Sequence, residues 1–265
     1  MIKIPSLDPN APIVVVGIGN TSTGVATWHN DELKTPQSVG TADQGAFEEL
    51  FAAHCAALDS SNPPPTVIGS VVPEALERVC AHVLAKLDRN ALVVGETVPL
   101  PIEVEVEDPK AIGIDRACAA AAAYERLQTA CVVIDFGTAV TVDLVNDEGV
   151  LLGGAILPGL GLQLQALGEH TAQLPTVRPA VPELPYGRNT TEAMQIGVCR
   201  GVAGAVRGLI EGYATALHRW PQVVATGGDL ELLGPHIDYV DTLVADLTLR
   251  GIALAYTKYL AEMGI

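Results

Sequence analysis

Three glycine-rich turns follow apolar, largely β-branched segments, and they carry the residues best suited to bind phosphate. The turns are GIGNTSTG at 17–24, DFGTAVT at 135–141 and TGGD at 226–229. Backbone N–H groups exposed in such turns, helped by Thr or Asn side chains, can bind phosphate oxygens. One such turn is commonly an ordinary tight turn. Three in one chain favour the binding of a nucleoside triphosphate.

Two aspartates stand where they could serve phosphoryl chemistry. Asp135 ends an apolar segment beside the second turn, where a carboxylate could hold a cation next to phosphates or simply cap the turn. Asp115 and Arg116 begin an Ala-rich helix. There Asp115 could cap the helix, or it could act as a general base while Arg116 binds a substrate carboxylate. The spacing leaves both alternatives open.

Alternating strands and helices must position these turns. Apolar spacing predicts helices over 43–58, from Pro73 to about Leu87, from Asp115 onward, and over about 190–217 and 247–262. Residues 99–110 read as an extended alternating segment, and Asn146 to Gly149 as a hairpin turn. Aligning VVVGIGNT with VVIDFGTA puts Gly19 on Gly137. This weak repeat predicts two related α/β lobes with a cleft between them.

Composition excludes several classes of function. The 265 residues include 31 acidic and 15 basic side chains, a net charge of -16, which argues against nucleic-acid binding. No apolar run reaches the ~20 residues of a membrane helix, and MIKIPSLDPNAP lacks the order of a signal peptide. The odd number of scattered cysteines argues against a disulfide framework and a zinc site. We therefore expect a cytoplasmic protein with no membrane or nucleic-acid partner.

A dinucleotide-binding oxidoreductase is a weaker alternative. Gly17 and Gly19 follow a strand as in the G-x-G-x-x-G fingerprint, but the third glycine position is Ser22, and the chain resumes as a strand. The fingerprint is therefore incomplete.

Seven motifs together resemble the type III pantothenate kinases, members of the acetate and sugar kinase/Hsp70/actin superfamily. In chain order they are GNT (19–21), GSVVP (69–73), DP with GIDR (108, 109 and 113–116), DFGTAVTVD (135–143), GGAILPGL (153–160), GRNTTEA (187–193) and ATGGD (225–229). The resemblance implies an α/β fold with two ribonuclease H-like lobes of the actin-like ATPase type. It places the lobes at 1–114 and 115–265.

By the same resemblance the activity is ATP-dependent phosphorylation of pantothenate to 4'-phosphopantothenate, the first step towards coenzyme A. The implied cofactors are ATP, Mg²⁺ and a monovalent cation (K⁺ or NH₄⁺), and the implied assembly is a homodimer. Asp115 matches the catalytic base and Asp135 the monovalent-cation ligand. Pantothenate contacts are implied for Gly113, Ile114, Asp115, Arg116 and Thr190. ATP contacts are implied for Gly17, Gly19, Asn20, Thr21, Gly24, Gly137, Thr138, Gly227 and Gly228.

Two positions depart from the family pattern. The first loop of the family begins with an acidic residue, D-x-G-N-T, where this chain has Gly17, and a substrate-contacting Tyr is replaced by Val106. Loss of a carboxylate that organises magnesium could remove much of the rate. The alternative hypothesis is therefore a catalytically impaired relative that binds nucleotide or pantothenate as a regulatory protein. Asp143 lies near the second loop without an assigned role.

Overall fold

The computed structural model describes residues 8, 11–58 and 63–265. Most of the MIKIPSLDPNAP segment, and part of the SSNPPP segment expected to end the first helix, lie outside these residues. The chain divides into two compact units, Met1–Glu125 with Asp246–Ile265, and Arg126–Ala245. No helix in the described ranges is long and apolar enough to cross a membrane.

The first unit contains a five-stranded sheet in the order β3-β2-β1-β4-β5. Its core is mainly aliphatic and includes the aromatic side chains of Phe47, Phe51 and Tyr256. Its elements are β1 (Ile13–Ile18), β2 (Ser22–His29), β3 (Glu32–Gly40), α1 (Gln44–Ala56), β4 (Thr66–Ser70), α2 (Pro73–Leu87), β5 (Leu92–Val93), the short β6 (Glu103–Val104), α3 (Ile114–Leu127) and the C-terminal α7 (Leu247–Glu262).

The second unit contributes five strands in the order β11-β10-β7-β8-β9. Buried aliphatic side chains of β7 and β8 pack against helices α4 and α5 on one face of this sheet. Its elements are β7 (Cys131–Phe136), β8 (Ala139–Val145), β9 (Val150–Pro158), α4 (Leu160–Glu169), α5 (Thr190–Leu217), β10 (Gln222–Thr226), α6 (Leu230–Leu233) and β11 (Thr242–Leu243).

The two units share one strand plan. In each, the first strand pairs antiparallel with the second and parallel with the fourth. Gly19 follows β1 and Gly137 follows β7, so the repeat noted in the sequence corresponds to equivalent turns. In the same sequence alignment, Gly17 of β1 corresponds to Asp135 of β7. This duplication confirms an α/β fold with a ribonuclease H-like sheet in each unit.

Two segments differ from expectation. The extended segment predicted over 99–110 forms only β6 and a 3₁₀ turn, Pro109–Ala111, because Pro99, Pro101 and Pro109 lack the N–H that a strand ladder needs. Conversely, β3 was not predicted, since it is an exposed edge strand with little apolar alternation.

The cysteines behave as small apolar residues. All five are free, and Cys118, Cys131 and Cys199 are buried. Burial raises the pKa of the Cys131 thiol to about 12. Such thiols stay protonated and unreactive at neutral pH.

Candidate active site

The first glycine turn joins β1 to β2 in the first unit. Gly19 donates its N–H to the carbonyl of Ser22 at 2.9 Å, and Thr41 donates its hydroxyl to the carbonyl of Gly19 at 2.7 Å. Asn20 and Thr21 are exposed at the tip. The turn is thus fixed by its own backbone and by Thr41, while the two predicted phosphate contacts face solvent. Sequence reasoning missed Thr41, which lies just beyond the distant edge strand β3.

The second glycine turn joins β7 to β8 in the second unit. Gly137 donates its N–H to the carbonyl of Ala139 at 3.2 Å, and Gly159 donates to the carbonyl of Thr138 at 3.0 Å. A side chain at Gly159 would collide with the backbone of Gly137 and Thr138. The close approach of Gly159 therefore requires a residue without a Cβ. The side chain of Thr138 is exposed.

The third turn lies against Asp135. Thr226, the last residue of β10, pairs with Asp135 across the parallel ladder, and Gly227 follows with φ of +110°. A Cβ on Gly227 would lie 2.6 Å from Oδ1 of Asp135, and one on Gly137 would lie 3.4 Å from the same atom. We call Gly137 and Gly227 the glycine cradle of Asp135. The structure thus brings the predicted cation ligand together with two predicted ATP contacts.

Asp229 lies beside this cradle. The sequence placed it in the third turn but assigned it no role. Its backbone N–H donates to the carbonyl of Phe136 at 3.0 Å, which fastens the third turn to the end of β7. Burial raises the pKa of the Asp229 carboxyl. Gly228, another predicted ATP contact, is exposed between Gly227 and Asp229.

Asp143 shares a sheet face with Asp135. The ladder pairs Asp135 with Thr141 and Val133 with Asp143, so the two carboxylates project from the same side of the sheet, on diagonal positions. Asp143 is only 1% exposed. A Cβ on its cross-strand partner Gly154 would lie 2.5 Å from Oδ1 of Asp143. Gly154 therefore leaves room for a buried carboxylate.

The segment from Gly113 to Arg116 starts α3 in the first unit. Oδ1 of Asp115 accepts the N–H of Arg116 at 2.8 Å, and a Cβ on Gly113 would lie 2.5 Å from that same oxygen. Asp115 and Arg116 are both partly exposed. One carboxylate oxygen is therefore held against a backbone N–H of the first turn, but Asp115 is the second residue of α3 and does not occupy the N-cap position. This bond orients the carboxylate of the predicted base.

The segment around Thr190 forms a capped helix start in the second unit. Asn189 precedes α5, and its Oδ1 accepts the N–H of Glu192 at 2.9 Å, while Oε2 of Glu192 accepts the N–H of Arg188 at 2.8 Å. This reciprocal pattern fixes the first turn of a helix. Thr190 is exposed in that turn.

The carboxylate of Asp135 suits one hard cation, the kind that prefers oxygen ligands. Within the described ranges, no group of three His, Cys, Asp or Glu side chains could form a metal site of its own. Asp135 instead offers a carboxylate inside a cradle that a Cβ would fill. Hard cations bind such oxygens, completing their shell with carbonyls, water or substrate phosphates. The site thus fits a cation that is shared with a ligand.

The position equivalent to Asp135 in the first unit is Gly17, and it offers no carboxylate. A Cβ on Gly17 would lie 3.0 Å from Cδ2 of Leu249 and 3.5 Å from Cδ1 of Ile252. The side-chain position at residue 17 thus faces apolar atoms of α7.

Solved structures with this fold define the class. A conserved protein of the Baf family from Campylobacter jejuni aligns with a TM-score of 0.61 and 19% identity, covering 95% of this chain and 99% of that one. Component A of (R)-2-hydroxyglutaryl-CoA dehydratase from Acidaminococcus fermentans aligns with a TM-score of 0.55 and 13% identity, covering 96% and 100%. With the duplicated sheet order, they support an actin-like ATPase fold.

Sequence relatives define the family. The family model of type III pantothenate kinase matches residues 13–212. A type III pantothenate kinase of Moorella thermoacetica is 33% identical over 93% of this chain and 99% of its own length. One from Anaeromyxobacter sp. is 34% identical over 93% and 99%. The chain belongs to the type III pantothenate kinase family.

Proposed function

We propose that this protein catalyses the ATP-dependent phosphorylation of the primary hydroxyl of pantothenate, giving 4'-phosphopantothenate and ADP. Family membership supports the reaction. The structural observation that carries it is the glycine cradle, in which Gly137 and Gly227 leave space around the Asp135 carboxylate beside two backbone-rich turns. Phosphoryl transfer depends mainly on positioning and charge neutralisation, and these turns offer both.

The predicted ATP contacts belong to three turns. The first turn would contribute Gly17, Gly19, Asn20, Thr21 and Gly24, the second Gly137 and Thr138, and the third Gly227 and Gly228. Exposed N–H groups and hydroxyls in such turns bind phosphate oxygens without any basic side chain. This way of binding suits a chain with a net charge of -16, because few lysines and arginines are available for the triphosphate.

Two cations complete the proposed site. Asp135 would hold the monovalent cation (K⁺ or NH₄⁺), since its carboxylate oxygen faces the cradle. Mg²⁺ bound to the triphosphate supplies neutralisation of the charge that develops on the transferred phosphoryl group. Because Gly17 presents no carboxylate, we expect Mg²⁺ to be held mainly by ATP oxygens and water.

Asp115 and Arg116 would act on pantothenate, together with Gly113, Ile114 and Thr190. The Asp115 carboxylate would accept the hydroxyl proton as the pantothenate oxygen forms its bond to the γ-phosphorus. The bond from that phosphorus to the bridging oxygen of ADP breaks in the same transfer. One Asp115 oxygen already accepts the N–H of Arg116, so the other is the candidate proton acceptor. Arg116 offers a planar pair of donors for the pantothenate carboxylate.

We also propose that the protein works as a homodimer in the cytoplasm. Small residues line one exposed side of α5, where a Cβ on Gly197, Gly201, Gly204, Gly208 or Gly212 would meet nothing within 4 Å. Such a surface allows the close approach of a second helix. Light scattering of the purified protein tests the dimer: a Gly204→Leu variant should shift a dimer towards monomer, and a monomeric wild type would contradict the proposal.

The proposed cytoplasmic location agrees with the cysteines. The five cysteines are free, which is compatible with a reducing compartment.

A coupled assay of ADP release tests the reaction. We expect turnover with pantothenate and ATP, stimulated by K⁺ over Na⁺. Much weaker turnover is expected with the alcohol analogue of pantothenate that lacks the carboxylate, because Arg116 loses its partner. Absence of turnover with pantothenate at every K⁺ and Mg²⁺ concentration would reject the proposed function.

A further inference from the structure

A row of three glycines crosses neighbouring strands of the first sheet. Gly17 of β1 pairs with Gly24 of β2 on one side and with Gly69 of β4 on the other. Directly paired residues of adjacent strands project to the same face of a sheet. One face of the sheet therefore carries a strip without side chains, which we call the glycine floor.

Side chains of helix α7 pack on the glycine floor. A Cβ on Gly17 would lie 3.0 Å from Cδ2 of Leu249, and one on Gly24 would lie 3.3 Å from Cδ1 of the same side chain. A Cβ on Gly69 would lie 2.7 Å from Cδ1 of Ile252. Leu249 and Ile252 are 6% and 0% exposed. At these separations a side chain on the floor would force the ends of Leu249 and Ile252 out of their present positions.

Ile114 packs on the same floor. Its Cγ2 lies 3.2 Å from the Cβ position of Gly69, where Ile252 also packs, and its Cδ1 lies 2.8 Å from that of Gly95. Gly95 has φ of +87°. Ile114 is the first residue of α3 and directly precedes Asp115. The residue that anchors α3 to the floor is thus the neighbour of the proposed base.

Two further contacts hold α3 against α7. Gly251 of α7 approaches the backbone of Cys118 so closely that a Cβ there would collide with it. Near the other end of α3, Nζ of Lys258 lies 3.4 Å from Oε2 of Glu125 and also donates to the carbonyl of Pro101 at 3.0 Å. Helix α3 therefore meets α7 at Cys118 and through the Lys258–Glu125 ion pair, so a displacement of α7 would be transmitted to α3.

We infer that Ile252 of the C-terminal helix is a positioning residue: seated on the glycine floor beside Leu249, it acts through Ile114 to hold the first turn of α3 and so the Asp115 carboxylate. The role of Asp115 in this inference rests on the proposed function, whereas the packing of Ile252 and Ile114 does not. Displacement of a reacting group by about 1 Å can cost about 100-fold in rate. The glycine floor matters because it lets α7 and α3 lie this close to the sheet.

The kinetic test compares two truncations on the same helix. Ile252→Ala removes the side chain that packs beside Ile114, whereas Leu260→Ala removes an equally buried side chain of the same apolar cluster near the end of α7. At a temperature where both variants are folded, we expect Ile252→Ala to lower kcat about 10- to 100-fold. Leu260→Ala should keep kcat within about two-fold, and Ile252→Val should recover most of the loss.

Amide hydrogen exchange gives a readout that does not depend on activity. Exchange at Arg116 and Ala117 should accelerate in Ile252→Ala and stay near wild type in Leu260→Ala, because only the first change loosens the start of α3. Equal kcat and equal exchange in the two alanine variants would overturn the inference. A wild-type protein without turnover would instead refute the proposed function, and the exchange comparison would still decide the packing claim.

A double-mutant cycle tests the floor contact directly. Gly17→Ala and Leu249→Ala should each lower the melting temperature, the first by overlap and the second by leaving a cavity. Together they should lower it by less than the sum, because the alanine methyl at 17 occupies space vacated by Leu249. Strict additivity would contradict the contact.

Discussion

Replacing Gly227 by alanine perturbs the glycine cradle at its tightest point. Gly227 has φ of +110°, and a Cβ there would lie 2.5 Å from the backbone nitrogen of Phe136 and 2.6 Å from Oδ1 of Asp135. A non-glycine residue in such a conformation costs about 1–3 kcal/mol, and the overlap adds to this. At about 2–4 °C per kcal/mol for a chain of this size, the backbone cost alone should lower the melting temperature by roughly 2–12 °C.

The same substitution should affect ATP use more strongly than stability. The Asp135 carboxylate cannot keep its place beside a methyl group at 227, so the cation and the phosphates lose their alignment. A shift of about 1 Å in such a site costs about 100-fold, and we expect kcat/KM for ATP to fall about 10- to 100-fold. Calorimetric melting and initial rates at varied ATP and K⁺ measure the two effects.

Gly234→Ala is the matched control, because Gly234 follows α6 with φ of -42° and a Cβ there would meet nothing within 4 Å. It should behave like wild type in both assays. If Gly227→Ala matches Gly234→Ala in melting temperature and in kcat/KM for ATP, the cradle argument is refuted.

Two further predictions concern buried polar groups. His54 is 4% exposed, its Nδ1 lies 3.1 Å from Oγ1 of Thr27, and burial lowers its pKa. Below pH ~6.5 the unfolded chain binds a proton that the folded one does not, so the free energy of unfolding should fall by up to about 1.4 kcal/mol per pH unit until the folded pKa is reached. His54→Gln should flatten that slope in urea titrations; an unchanged slope would contradict it. Gly154→Ala should lower the melting temperature by displacing the buried Asp143 carboxylate, whereas Gly161→Ala on the open surface of α4 should not.

The parts of the fold that the sequence predicted are those with strong local signals. Helix α2 begins at Pro73 and α5 ends at Leu217, as the apolar spacing indicated. The hairpin turn at Asn146 also forms, with Oδ1 of Asn146 accepting the N–H groups of Glu148 and Val150. These features depend on residues a few positions apart, which a pattern can detect.

The parts that escaped prediction depend on contacts between distant residues. The bond from Thr41 to Gly19 joins positions 22 residues apart, and no spacing rule marks it. The glycine floor becomes visible only when the register places Gly24 and Gly69 beside Gly17. The sequence presented Gly17 as a loop residue and a missing acid, whereas the structure adds that Leu249 packs against its side-chain position. Register and helix packing supply this information.

Conversion of pantothenate by wild type and by Asp115→Asn tests the central claim most directly. Asparagine keeps the oxygen that accepts the N–H of Arg116 at 2.8 Å, so α3 should stay intact while the proton acceptor is lost. Phosphorus NMR should show 4'-phosphopantothenate forming with wild type in the presence of ATP, Mg²⁺ and K⁺, and a rate about 100- to 10,000-fold lower with Asp115→Asn at an unchanged melting temperature. Equal rates for the two proteins, or no phosphorylated product with wild type, would contradict the account.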